Sequence, residues 1–202
     1  MILIISGTNR PGSNTRKVTA HVEKAYTTLG IPAQILDLGD LPPEIFLPSA
    51  YEKTPPSFKP FIDAVLGADG LVVVSPEYNG SIPGVLKYFI DMLPFPESFE
   101  QRPVCFVGLA AGLWGAMRPT EQLQQIFAYR NGLVFPERVY VPGVNNQLGE
   151  HGALNPVLEK NLRQQAIKFV SFVEKVREKK FTRTPEPAAP ASTGPDSSSA
   201  KL

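Results

Sequence analysis

Residues 71–75 read LVVVS, four apolar positions in a row before the first polar one. A strand with one face in water alternates apolar and polar residues, so an unbroken run predicts a strand covered on both faces, as in a parallel sheet between two layers of helices. Residues 2–5, 33–38, 104–108 and 133–141 share that character. Between these stretches the apolar period changes to that of a helix. Over 14–29 it sets Val18, Val22, Ala25, Tyr26 and Leu29 on one stripe, and 58–67, 84–92, 120–131 and 154–179 give four more such patterns. Strand and helix alternating in this way predict a doubly wound α/β fold. Five strands with an anion-holding turn after the first favour the strand order 2-1-3-4-5, with the ligand at the C-terminal strand ends beside the switch point. GTNRPGSN (7–14), SPEYNGS (75–81) and LAAGLWG (109–115) then share one rim.

The chain has 202 residues, 43% of them hydrophobic, enough for one globular domain, expected over 1–180. From 181 to 202 the composition turns to Pro, Ala, Ser and Thr without apolar periodicity, and a disordered tail is expected. The 20 basic and 19 acidic residues are interspersed, with a net charge of +1, so there is no basic stripe for nucleic acid and no polybasic patch for a membrane surface. No run approaches the roughly 20 apolar residues of a membrane span. MILIIS lacks the basic lead of a signal peptide. Cys105 is the single cysteine, which rules out an internal disulfide, and only two histidines are available for metal ligation. A soluble cytoplasmic protein without metal is expected.

The loop at 7–17, GTNRPGSNTRK, has three possible designs. A triphosphate loop needs Lys after its second glycine, but Ser13 and Asn14 follow Gly12. A dinucleotide fingerprint needs glycine two residues after Gly7, and Asn9 stands there, although Asp37 is placed to meet a ribose. The third design is a monophosphate cradle. Thr8, Ser13 and Thr15 supply hydroxyls, Arg10 a charged fork, and the start of the helix its free amides and positive dipole end. A plain helix cap at Ser13 or Asn14 with a solvated Arg10 has the same composition.

In the loop at 75–84, Pro76 stops the strand, Asn79-Gly80 permits a turn with positive φ, and Pro83 sits where a helix tolerates it. Tyr78 can wall a flat heteroaromatic ring while main-chain amides meet its nitrogens and carbonyls, as a flavin requires. An ordinary strand-to-helix turn, with Tyr78 over the core and Glu77 in solvent, is the other reading.

The two loops together resemble the NADPH-dependent FMN reductase family, the flavodoxin-like group that includes quinone, azo-dye and chromate reductases. Its phosphate loop G-S-x-R-x-x-S-x-[NT] is met by Gly7, Thr8, Arg10, Ser13 and Thr15, and its flavin loop P-E-Y-N-x-S-x-P-G-x-L-K by Pro76, Glu77, Tyr78, Asn79, Ser81, Pro83, Gly84, Leu86 and Lys87. The resemblance covers about 1–175. It implies that Thr8, Arg10, Ser13, Asn14 and Thr15 hold the FMN phosphate, and that Pro76, Glu77, Tyr78, Asn79 and Gly80 contact the isoalloxazine. Ala111 and Gly112 stand where many members place a serine, leaving backbone contacts alone, and Ala116 replaces the second glycine of the motif at 115–123.

It implies further that FMN carries electrons from NADPH or NADH to a quinone, or to an azo dye, chromate or free flavin. No side chain is then needed as a catalytic nucleophile. A homodimer or homotetramer, joined through the helices after the third and fourth strands, is also implied. A non-catalytic flavodoxin-type electron carrier, or flavin-binding partner protein, is the alternative, against which the near-neutral charge argues. Cys105 reads as a small buried hydrophobe and His21 as structural. Trp114 reads as a wall of the acceptor pocket, a subunit contact or core, and Arg118 as a partner for the 2′-phosphate of NADPH or a solvated charge.

Overall fold

A computed structural model of the chain describes residues 1–181. Its strands are β1 (Ile2–Ser6), β2 (Ala33–Asp37), β3 (Gly70–Pro76), β4 (Pro103–Leu109), β5 (Leu133–Val134) and β6 (Val139–Val141). Its α-helices are α1 (Asn14–Thr27), α2 (Lys59–Leu66), α3 (Gly84–Met92), α4 (Met117–Tyr129), α5 (Val144–Gln147) and α6 (Pro156–Phe181). The sheet is parallel, in the order β2-β1-β3-β4-β5, with β6 also paired to β4. This is the expected 2-1-3-4-5 order. Every residue of β3 and β4 is buried, which is why LVVV shows no alternation.

Side chains still alternate between the two faces. Ile2, Ile4, Val72, Val74, Cys105 and Val107 pack under α1 and α6, against Val18, Val22, Tyr26, Leu162 and Phe169. Leu3, Ile5, Leu71, Val73, Val104 and Phe106 face the other layer, against Phe58, Leu86, Phe89, Leu123 and Phe127. Each fully buried phenylalanine stabilises the fold by about 2–3 kcal/mol relative to exposure. Residues 38–58, which carry no periodic pattern, wrap in short 3₁₀ turns, three of them opening on Pro43, Pro48 and Pro56.

The fifth strand departs from expectation. Instead of one strand over 133–141 there are two short ones, β5 beside Pro103 and Val104 and β6 beside Val107 to Leu109. Pro136 lies between them, without an N–H to continue the ladder. The Phe135 N–H still donates to Val104 O at 2.8 Å before the chain bulges away. The gap leaves the Phe106 carbonyl facing no strand. Buried Gln165 on α6 fills it, its Nε2 donating to Phe106 O at 3.1 Å and to Glu137 O at 3.0 Å. α6 starts at Pro156, two residues later than predicted, because the Asn155 side chain accepts from the Val157 N–H at 2.9 Å and caps it. The tail expected to be disordered lies, from residue 182, outside the described residues. Among the described residues no helix is long and apolar enough to cross a membrane.

Candidate functional site

The first loop leaves β1 at Gly7, whose N–H donates to Val74 O at 2.8 Å. A Cβ at Gly7 would stand 2.7 Å from that same carbonyl oxygen and 3.1 Å from Leu86 Cδ2, so only glycine fits. Gly12, with φ +65°, then turns the chain into α1. Ser13 caps the helix, its Oγ accepting from the Arg16 N–H at 3.2 Å. The capping reading therefore holds for Ser13, but it accounts for one donor only. The N–H groups of Gly12, Ser13, Asn14 and Thr15 meet no acceptor among the described residues, and they cluster at the positive end of a 14-residue helix. Asp37, the acid considered for a ribose, is already taken by Arg16 Nε at 2.9 Å and the Gly39 N–H at 3.0 Å.

The second loop closes on itself. Tyr78 and Ser81 exchange N–H···O bonds of 3.0 Å in both directions, and Asn79 and Gly80 between them have φ of +52° and +75°. Two successive positive φ values make a type I′ turn, the turn that Asn-Gly favours. The Tyr78 hydroxyl shares a 2.9 Å hydrogen bond with Thr8 Oγ1, which also accepts from the Arg10 N–H at 3.2 Å. The two loops are thus joined directly.

Residues after β4 and β6 supply the third wall. Ala110 N–H donates to Val141 O at 3.2 Å, Val144 N–H to Ala110 O at 2.9 Å, and Gly143 N–H to Gly112 O at 3.0 Å. Asn145 Oδ1 accepts from Asn14 Nδ2 at 2.8 Å, closing the ring of loops back onto the first.

These three segments enclose an open cavity of about 420 Å³, a volume in the range of small-molecule and cofactor sites. Of the residues singled out from the sequence, Arg10, Ser13, Asn14, Thr15, Pro76, Glu77, Tyr78 and Ala111 line it. Thr8 is buried and bonded to Tyr78 without reaching the wall; Asn79, Gly80 and Gly112 also lie off the wall. Sequence reading missed Val144 and Asn145. Both follow the last strand, and the rule that ligands gather at C-terminal strand ends pointed there too.

The donors fit one phosphate followed by a flat, largely apolar ring system. A charged fork and four free amides stand at one end, and Pro76, Tyr78, Leu109 and Ala110 border the rest. Glu77 is the single carboxylate among the lining residues, and Arg118 Nη1 meets its Oε1 at 2.9 Å. Trp114 is 62% exposed, so the core reading fails for it. Cys105 is fully buried, and burial pushes its thiol well above the usual range. His21 lies on the seam between α1 and α6, Nε2 2.8 Å from Gly152 O and Nδ1 3.2 Å from Glu159, away from the cavity wall.

The family model for NADPH-dependent FMN reductase matches residues 1–146. The chain belongs to that family. This FMN reductase family member is an oxidoreductase, and FMN and NADPH are the molecules its family handles, which favours an enzyme over a non-catalytic carrier. A quinone reductase of Pseudomonas putida is 29% identical over 180 residues, covering 86% of this chain and 94% of that protein. An FMN reductase (NADPH) of Pseudomonas aeruginosa is 25% identical over 140 residues, covering 69% and 75%. FerB, a flavoenzyme NAD(P)H:(acceptor) oxidoreductase from Paracoccus denitrificans, superposes with a TM-score of 0.73 at 23% identity, over 86% of this chain and 97% of that one. A flavodoxin from Pseudomonas aeruginosa superposes with a TM-score of 0.53 at 15% identity, over 87% and 98%. These superpositions show the flavodoxin-like fold. The family match ends one residue past Asn145, so every residue lining the cavity lies inside it.

Proposed function

We propose that the chain is an NAD(P)H:quinone oxidoreductase working through FMN held in this cavity. The observation that carries the reading is the meeting, on one rim, of four unpaired amides with the Tyr78 turn. Arg10 and the amides of Gly12 to Thr15 bind the phosphate, with Ser13 and Thr15 adding hydroxyls and Thr8, behind the wall, holding Tyr78 in place. Pro76, Glu77 and Tyr78 border the ring on one side, with the Asn79-Gly80 turn shaping that side from beyond the wall, and the backbone at Ala110 and Ala111 borders it on the other.

When bound, FMN supplies the two-electron relay between nicotinamide and acceptor; overall, NAD(P)H, a proton and a quinone give NAD(P)⁺ and a hydroquinone. The polypeptide binds and orients. The names of the relatives support a quinone as acceptor, with free flavin behind it, and either nicotinamide as donor, while an azo dye or chromate rests on the family resemblance alone.

The functional domain extends to about residue 180. A homodimer or homotetramer is supported by the exposed aromatic cluster over α3, where Phe46 and Tyr51 pack on Tyr88 at 5.0 and 6.0 Å between ring centroids and Phe95 stands 67% exposed. A cytoplasmic location accords with the single, buried thiol. The test is direct: purified with FMN, the protein is yellow, bleaches under anaerobic NADPH or NADH, and regains its colour with a quinone. Flavin that binds but is reduced by neither nicotinamide overturns the activity; absence of FMN binding overturns the site.

A further inference from the structure

α4 sends no atom to the cavity wall, yet it holds the turn at 77–82 from behind. Arg118 and Gln122 are four residues apart on that helix and so lie on one face. Gln122 Oε1 accepts from Ser81 Oγ at 2.8 Å and from the Ile82 N–H at 3.2 Å, fixing the C-terminal leg of the turn. Arg118 Nη1 meets Glu77 Oε1 at 2.9 Å, fixing the N-terminal leg. Between the legs the arginine stem crosses the tip: its Cδ stands 4.0 Å from where a Cβ on Gly80 would be.

From there the connection continues inward. The turn carries Tyr78, Tyr78 meets Thr8, and Thr8 accepts from the Arg10 N–H. Two side chains of one helix are therefore linked to both halves of the site. The ionic contact also has a charge consequence. The Glu77 side chain is 13% exposed and Arg118 58%, and the pair neutralises the one carboxylate on the wall.

We propose that Arg118 and Gln122 are positioning residues for the flavin: Gln122 sets the turn against which the ring rests, and Arg118 cancels the Glu77 charge that would oppose adding electrons to it. The inference rests on the cavity being the FMN site. Its test therefore runs beside Arg10→Ala, which probes that reading alone.

FMN affinity is measured by fluorescence quenching, the midpoint potential of bound FMN by dye equilibration, and melting on the apoprotein. Gln122→Leu removes the acceptor and weakens FMN by about tenfold, the effect of losing about one hydrogen bond's worth of order in the turn. Gln122→Glu keeps an oxygen for both donors and returns affinity to near the wild-type value, which loss of general stability would not do. Arg118→Leu lowers the flavin potential, and adding Glu77→Gln to it raises the potential back.

If Arg10→Ala weakens FMN while Gln122→Leu and Arg118→Leu move neither affinity nor potential, the positioning role is overturned and the site stands. If Arg10→Ala also leaves FMN binding untouched, the site reading falls and this inference with it. Should Gln122→Leu fail to fold, the Gln122→Glu affinity and the Arg118→Leu potential decide: wild-type affinity with a lowered potential supports the role, and an unmoved potential overturns it.

Discussion

Four successive amides of the first loop, Gly12 to Thr15, meet no acceptor among the described residues, whereas the turn at 78–81 satisfies its ends internally and is strapped to α4 at Glu77, Ser81 and Ile82. Exposed, the first set is served by water until an anion replaces it; the second keeps its shape without a ligand. One loop binds by what it lacks, the other by the shape it keeps. Substitutions in the first should therefore register as affinity, and those in the second as conformation. Both stand on the same strand ends, so damage beneath them should erase the distinction.

The largest effect is expected beneath both loops. Gly7→Ala pushes a methyl to within 2.7 Å of Val74 O, between β1 and β3, and should cost about 3 kcal/mol in urea unfolding, with FMN binding lost in proportion. An unchanged unfolding midpoint would show that the loop base yields, contrary to a shared rigid foundation.

Alkali should also act on both loops alike. Cys105 keeps its proton in the folded state far longer than in the unfolded chain, because burial opposes the thiolate. Above about pH 8.5 the unfolded state loses that proton and the native state does not, so stability falls as pH rises, by about 2 kcal/mol between pH 8.5 and 10. Below pH 8.5 both states are protonated and this contribution is constant. Cys105→Ala should abolish that part of the slope in denaturant titrations; a slope that persists in full assigns it to other groups.

Next comes the contrast itself. Arg10→Ala should raise the Kd for FMN about tenfold, or about 1.4 kcal/mol, with apoprotein melting unchanged and turnover of the remaining holoprotein little affected. A fall in turnover without a fall in retention would reverse the assignment. The smallest effect is Gly80→Ala, where there is room for the methyl but φ is +75°; about 1 kcal/mol of stability should be lost with little direct change at the phosphate end. A larger loss of FMN affinity than of stability would mean the turn binds by more than shape.

Local signals carried most of the fold. LVVV declared its burial, Asn79-Gly80 its turn, and Gly7 with Gly12 the entry to α1, because each rests on the backbone or on burial of the residue itself. What escaped depends on partners remote in sequence. The break in the fifth strand is tolerated because Gln165 caps a carbonyl 59 residues away. Asp37 was a plausible ribose ligand until folding set Arg16 beside it. Asn145 joins the rim only once β6 docks on β4, and Gln122 has no motif to announce it, since a glutamine on a helix face is usually solvated.

The hydrogen bond between Asn14 and Asn145 spans 131 positions of the chain. During synthesis the phosphate loop therefore leaves the ribosome well ahead of the wall opposite it. On the proposed reading of the cavity, no nascent chain can hold flavin before β6 has docked, whatever the order in which earlier strands pair. Loading then waits on the docking of β6, and the yield of active enzyme follows the FMN supply that chains folded that far encounter.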